Sequence, residues 1–110
     1  LGDYLASLER TVELAPRIVY PGHGEPVVDP AGRARELIAH HHERLDRTRQ
    51  VLNRSGLTPF DISLKLFGDE LPPTQRRFAV AETLSHLERL VREGAAARSE
   101  TDGTVTYTGP

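Results

Sequence analysis

The chain has 110 residues, 27% of them charged, and a formal net charge of −2. This sets about one small domain with a modest core and an ordinary soluble composition. No apolar run approaches the roughly 20 residues of a membrane-spanning helix, and with no cysteine, disulfides and thiolate metal sites are excluded.

The missing cysteines are compatible with a reducing compartment, and the expected location is the cytoplasm. Only Lys65 among the 14 basic residues is a lysine, an arginine bias that fits a GC-rich bacterial coding sequence. The chain has no methionine and begins inside a helical pattern, so it is read as a piece of a longer polypeptide.

Leu5, Leu8, Val12 and Ala15 recur at helical spacing and predict a helix over residues 4–15, which Pro16 cannot continue. Ile18-Val19-Tyr20 then reads as a short buried strand, broken by Pro21-Gly22-His23-Gly24. Asp29-Pro30 starts a second helix through about Arg54, with Gly56 as its stop. Thr58-Pro59, with Asp61 as a capping acid, starts a short third helix ending at Gly68. After Pro72-Pro73 a longer helix runs from about Thr74 to Glu93, placing Phe78, Ala81, Leu84, Leu87, Leu90 and Val91 on one core face. Gly94 is its C′ residue. Residues 95–109 predict a hairpin turning at Asp102-Gly103, with Thr104 to Tyr107 alternating as an exposed strand does. Helix, short helix, longer helix and hairpin follow each other as in a winged helix.

The segment with chemistry in it is Ile18 to Pro26, where a histidine sits between two glycines at the end of a strand. Glycine permits tight turns and close approach of a metal or ligand, and neutral imidazole is a common zinc ligand. Read from the residues alone, His23 is either a loop histidine or one ligand of a metal site, because a single histidine is a weak metal signal. The run His40-His41-His42 cannot converge on one ion, since successive helix residues point about 100° apart. His42 and Asp46 supply two ligands at best, so the run reads as a polar helix face.

Tyr20-Pro21-Gly22-His23-Gly24 resembles the last metal-ligand motif of metallo-β-lactamase-fold hydrolases, and Asp3-Tyr4-Leu5-Ala6-Ser7-Leu8 resembles the helix before it. Ala39-His40-His41 with Arg44, and Ala81-Glu82-Thr83-Leu84-Ser85-His86-Leu87 with Leu90 and Glu93-Gly94, are similar to stretches of the branch that carries a winged-helix C-terminus. Some members of that branch are described as endoribonucleases. The resemblance implies a mainly α, winged-helix-like domain with a small β-hairpin over residues 31–110. Residues 1–30 would then be the last helix and strand of a truncated α/β catalytic domain. It further implies that His23 holds one of a pair of zinc ions, flanked by Gly22 and Gly24, and that His40 and Arg44 contact substrate. Zinc would generate a hydroxide nucleophile and stabilise charge on the substrate. His41 stands where the branch often has arginine. The family's "HxHxDH" motif, its middle histidine and its bridging aspartate are absent, so the chain holds no catalytic residue and should be inactive alone. The implied partners are the missing N-terminal catalytic domain and RNA or another anionic substrate.

A stand-alone winged-helix module acting on DNA is the competing reading, and a structural or dimerising domain is a third. The predicted fourth helix carries Arg76, Arg77, Arg89 and Arg92 against Glu82, Glu88 and Glu93, a near-neutral face poorly suited to phosphate. The helix from Arg33 is more basic, with Arg35, Arg44, Arg47, Arg49 and Arg54 against Glu36, Glu43 and Asp46. Separated from a larger sheet, residues 4–20 would expose a leucine stripe and an unpaired strand edge, which predicts self-association there.

Overall fold

The structure, a computed structural model, describes residues 1–14 and 28–110. Within them the chain is mainly α with one small hairpin: α1 (Gly2–Leu14), α2 (Pro30–Val51), α3 (Pro59–Phe67), α4 (Pro73–Arg92), β1 (Ala97–Thr101) and β2 (Thr104–Thr108). The predicted strand Ile18–Tyr20 lies outside the described residues. Contacts group the chain into two compact units, Leu1–Glu43 and Arg44–Pro110, with the division falling inside α2.

In the first unit, Leu5 is the buried member of the α1 stripe, whereas Leu14 is 80% exposed. Asp29 caps α2, its Oδ1 accepting from the Gly32 N–H at 3.2 Å, and Pro30 fills the first helical position, where no N–H is needed. The Tyr4 ring meets His41 edge-on, with centroids 5.4 Å apart.

The second unit is built around Ile62 and Leu66 of α3, Leu87 of α4 and Tyr107 of β2. The Thr58 hydroxyl caps α3 by accepting from the Asp61 N–H at 3.1 Å, as the sequence indicates. α4 ends with the Ala95 N–H donating to the Leu90 carbonyl at 2.8 Å and the Gly94 N–H to the Val91 carbonyl at 3.0 Å, a Schellman closure that satisfies carbonyls the helix leaves open. Asp102 and Gly103 both have positive φ, 52° and 78°. The two-residue hairpin turn requires this, and Asp-Gly accommodates it. β1 and β2 pair antiparallel from Ala97↔Thr108 to Thr101↔Thr104. Leu57 extends this pairing through two backbone hydrogen bonds with Tyr107, of 3.0 and 2.9 Å, so the hairpin is clamped to the start of α3.

Three sequence expectations are corrected here. α2 stops at Val51, three residues early, because the Asn53 side chain turns back to accept from the Gly56 N–H at 2.9 Å. The core face of α4 is Ala79, Thr83, His86, Leu87 and Leu90. Phe78 is 73% exposed, and Ala81 and Leu84 also face outward. Hydrophobicity alone misplaced this face because Thr83 and His86 are polar yet fully packed. Each returns its hydrogen bond to a carbonyl one turn earlier, Thr83 to Ala79 at 2.8 Å and His86 to Glu82 at 2.7 Å, so neither is buried unsatisfied. Finally, Tyr107 is not on an exposed strand: it is a core side chain, 1% exposed.

Candidate functional site

His23, with Gly22 and Gly24, lies outside the described residues, so the donor chemistry is assessed on the rest. His40 is an exposed residue of α2 whose ring sits edge-on to His41, centroids 5.6 Å apart. The histidine run spreads around the helix: His41 is half-buried and His42 exposed. On α4, Glu82 and His86 bring a carboxylate oxygen and a ring nitrogen within 4.8 Å of each other. Within neither unit do the described residues assemble three such donors. A zinc site takes at least three protein ligands, so the described residues of neither unit make one.

Arg44 opens the second unit, and its surroundings are specific. Its guanidinium lies over the Phe67 ring, 4.2 Å from the centroid, a cation–π contact that strengthens as water is excluded. Its Nη1 is buried and has no hydrogen-bond acceptor among the described residues. A buried guanidinium N–H without an acceptor costs free energy, because it loses water and gains nothing in return. Such an atom therefore marks a place where an acceptor belongs.

His86 is packed close by. Its Nδ1 donates to the Glu82 carbonyl, since that oxygen can only accept. Burial lowers its pKa from the usual imidazole range. The Glu82 carbonyl and carboxylate pull the other way, and the Arg44 charge adds to the lowering. Burial thus disfavours the charged imidazolium, and the Nδ1 contact orients the ring.

Five of the arginines that a nucleic-acid reading would use have partners within the protein. Arg76 is a strap tying α4 to α3, donating through Nη1 to the Ser63 hydroxyl at 3.1 Å and through Nη2 to the Gly68 carbonyl. Arg47 donates to the Leu66 carbonyl at 3.3 Å, and Arg89 pairs with Glu93 at 2.7 Å. Arg33 and Arg49 pair with Glu36 and Asp46 at 3.3 and 3.6 Å. The exposed side of α4 mixes Phe78, Ala81 and Leu84 with Arg77, Glu88 and Arg92, and lacks the run of basic groups that binding to phosphate requires. Sequence reasoning missed the Arg76 strap and the Phe67 platform, because neither partner is close to its arginine in the sequence. Among the described residues no helix is long and apolar enough to cross a membrane.

Comparison with known proteins agrees with this architecture. The family described as metallo-beta-lactamase-like, C-terminal domain, matches residues 45–109, nearly the whole second unit. A probable metallo-hydrolase of Bacillus subtilis is 31% identical over 107 residues, covering 97% of this chain and 33% of that protein. A beta-lactamase-like protein 2 homolog of Drosophila melanogaster is 28% identical over 97 residues, covering 86% and 33%. Among solved structures, a metallo-beta-lactamase family protein of Thermus thermophilus superposes with a TM-score of 0.81 at 41% identity, covering all of this chain and 33% of that one. A beta-lactamase domain protein of Burkholderia ambifaria gives 0.85 at 34% identity, covering 97% and 32%. The chain spans about a third of the length of these relatives. With its core helices, hairpin and Arg44 platform all falling in or beside the matched segment, the chain belongs to the metallo-β-lactamase-like family and carries that family's C-terminal domain.

Proposed function

We propose that this chain is the C-terminal part of a zinc-dependent hydrolase. Residues 1–30 close its catalytic domain, and residues 31–110 form a winged-helix-like domain beside the active site. The observation that carries this reading is the family match over residues 45–109, directly downstream of Tyr20-Pro21-Gly22-His23-Gly24. His23 contributes one imidazole to a metal site whose remaining ligands lie outside these 110 residues, so the isolated chain is inactive. Gly22 and Gly24 leave room at that ligand for metal and substrate. Arg44 and His40 are the substrate contacts, and the fixed positive charge of the Arg44 guanidinium suits an anionic group such as an RNA phosphate. Without the rest of its domain, the α1 region favours association between chains, for which exposed Tyr4 and Leu14 are the support.

The test is the His23→Ala variant of the complete enzyme, assayed together for metal content and turnover. Losing a ligand removes both affinity and the activating charge. Unchanged metal and unchanged turnover would reduce His23 to a loop residue and overturn the reading. A stand-alone DNA-binding module is disfavoured by the exposed side of α4, where Arg77 and Arg92 are interspersed with Glu88 and apolar groups.

A further inference from the structure

The outward side of α4 carries one continuous seam. Arg77, Ala81, Leu84 and Glu88 follow one another at spacings of four, three and four, and all are exposed. This is the alternation by which one helix faces another along its length. The apolar members lie in the middle, and the charged ones stand at the two ends with opposite signs. Phe78, 73% exposed, flanks the seam, and Phe67 and Leu71 line a groove beside it. Contiguous apolar groups rimmed by charge mark an interaction surface rather than scattered surface hydrophobicity.

The seam is complementary to itself. Two copies of α4 laid antiparallel, with the midpoint between Glu82 and Thr83, set Ala81 of each opposite Leu84 of the other. The same register sets Arg77 of each opposite Glu88 of the other. The small Ala81 side chain leaves room for Leu84, and two reciprocal ion pairs close the ends. A parallel pairing would instead oppose Arg77 to Arg77 and Glu88 to Glu88, and like charges across an interface are unfavourable. Glu88 is already oriented, because the Tyr107 hydroxyl donates to its Oε1, and a carboxylate has further acceptor sites for a guanidinium. Arg92, the other exposed charge of α4, falls opposite Pro73 at the very end of the contact.

We propose that the outward side of α4 binds a second copy of this chain, antiparallel about a twofold axis, with Ala81 and Leu84 at its centre and Arg77–Glu88 pairs at its ends. One patch meets the same patch of its partner, so the contact closes as a dimer and does not propagate. One helix per copy is at the small end of specific interfaces, which makes the dimer concentration-dependent. It uses no residue of the 4–20 segment and does not depend on the hydrolase reading.

The test is sedimentation velocity of the complete protein over a concentration series. The wild type should associate reversibly. Arg77→Glu and Glu88→Arg each turn both attractive pairs repulsive, and each should weaken the dimer about tenfold or more. The double variant Arg77→Glu/Glu88→Arg restores opposite charges across the axis and should recover the dimer, which damage to the fold could not do. Glu88→Arg also breaks the Tyr107 bond. Should it fail to fold, Arg77→Glu and Leu84→Asp carry the test: both should weaken association, while Arg54→Glu, an exposed reversal outside α4, should leave it unchanged. A wild type that stays monomeric up to about millimolar concentration, association that survives the single reversals, or a folded double variant that stays monomeric would each overturn the proposal.

Discussion

Replacing Tyr107 with phenylalanine isolates one oxygen atom. The ring sits in the core with Ile62, Leu66 and Leu87, and its hydroxyl donates to Glu88 Oε1 at 2.5 Å. Phenylalanine keeps the packing and removes only the hydroxyl with its polar contacts, of which the Glu88 bond is the main one. Hydrogen bonds to charged groups contribute about 1.5–3 kcal/mol, but Glu88 is exposed and its carboxylate recovers water, so we expect the lower end, about 1–2 kcal/mol. For a unit of this size that is a fall in Tm of about 4–16 °C. Tyr107→Ala, which also empties the core, should cost about 3–5 kcal/mol. The pH dependence gives a second readout. Burial raises the Tyr107 pKa, and the Glu88 hydrogen bond and charge raise it further, with Arg98 opposing. The folded state thus holds the phenolic proton more tightly than the unfolded state. Stability is fully present below the unfolded value of about 10 and is lost as the pH rises past it. Thermal and urea unfolding of the 110-residue chain from pH 7 to 11 would show this alkaline limb in the wild type and its absence in Tyr107→Phe. A variant of unchanged midpoint with the same alkaline limb would refute the reasoning.

His86 predicts the opposite limb. Its folded pKa is lowered, by burial first, so its contribution is present above the unfolded value of about 6.5 and is lost as the pH falls below it; urea titrations at pH 5 and 7.5 should converge in His86→Leu. Thr58→Ala removes the cap on the Asp61 N–H and should cost about 0.5–2 kcal/mol in denaturant unfolding. Gly56→Ala meets both a φ of 93° and the Thr106 hydroxyl, 3.2 Å from the new methyl; it should cost more than about 1 kcal/mol by the same measure. Calorimetric titration of the isolated chain with zinc should show no stoichiometric submicromolar site, and finding one would mean that these residues hold a site of their own.

Local rules determined the elements of this protein. Thr58-Pro59 with Asp61 specified the start of α3, Asp102-Gly103 specified the hairpin turn, and Gly94 marked the end of α4, because caps and turns are made by residues next to one another in the chain. The motif at Tyr20 to Gly24 is contiguous too, but it lies outside the described residues. Which side of α4 is core was decided only by tertiary structure. A helical stripe of apolar residues can be buried on either of two neighbouring faces, and the packed face proved to be the one where Thr83 and His86 satisfy themselves against their own helix. Arg76 and Arg44 likewise read as two more surface arginines until α3 folded under them. One then became a strap between helices. The other became a cation resting on Phe67 with an unmet hydrogen-bond donor, because charge is visible in a sequence while the distance to its partner exists only in the fold.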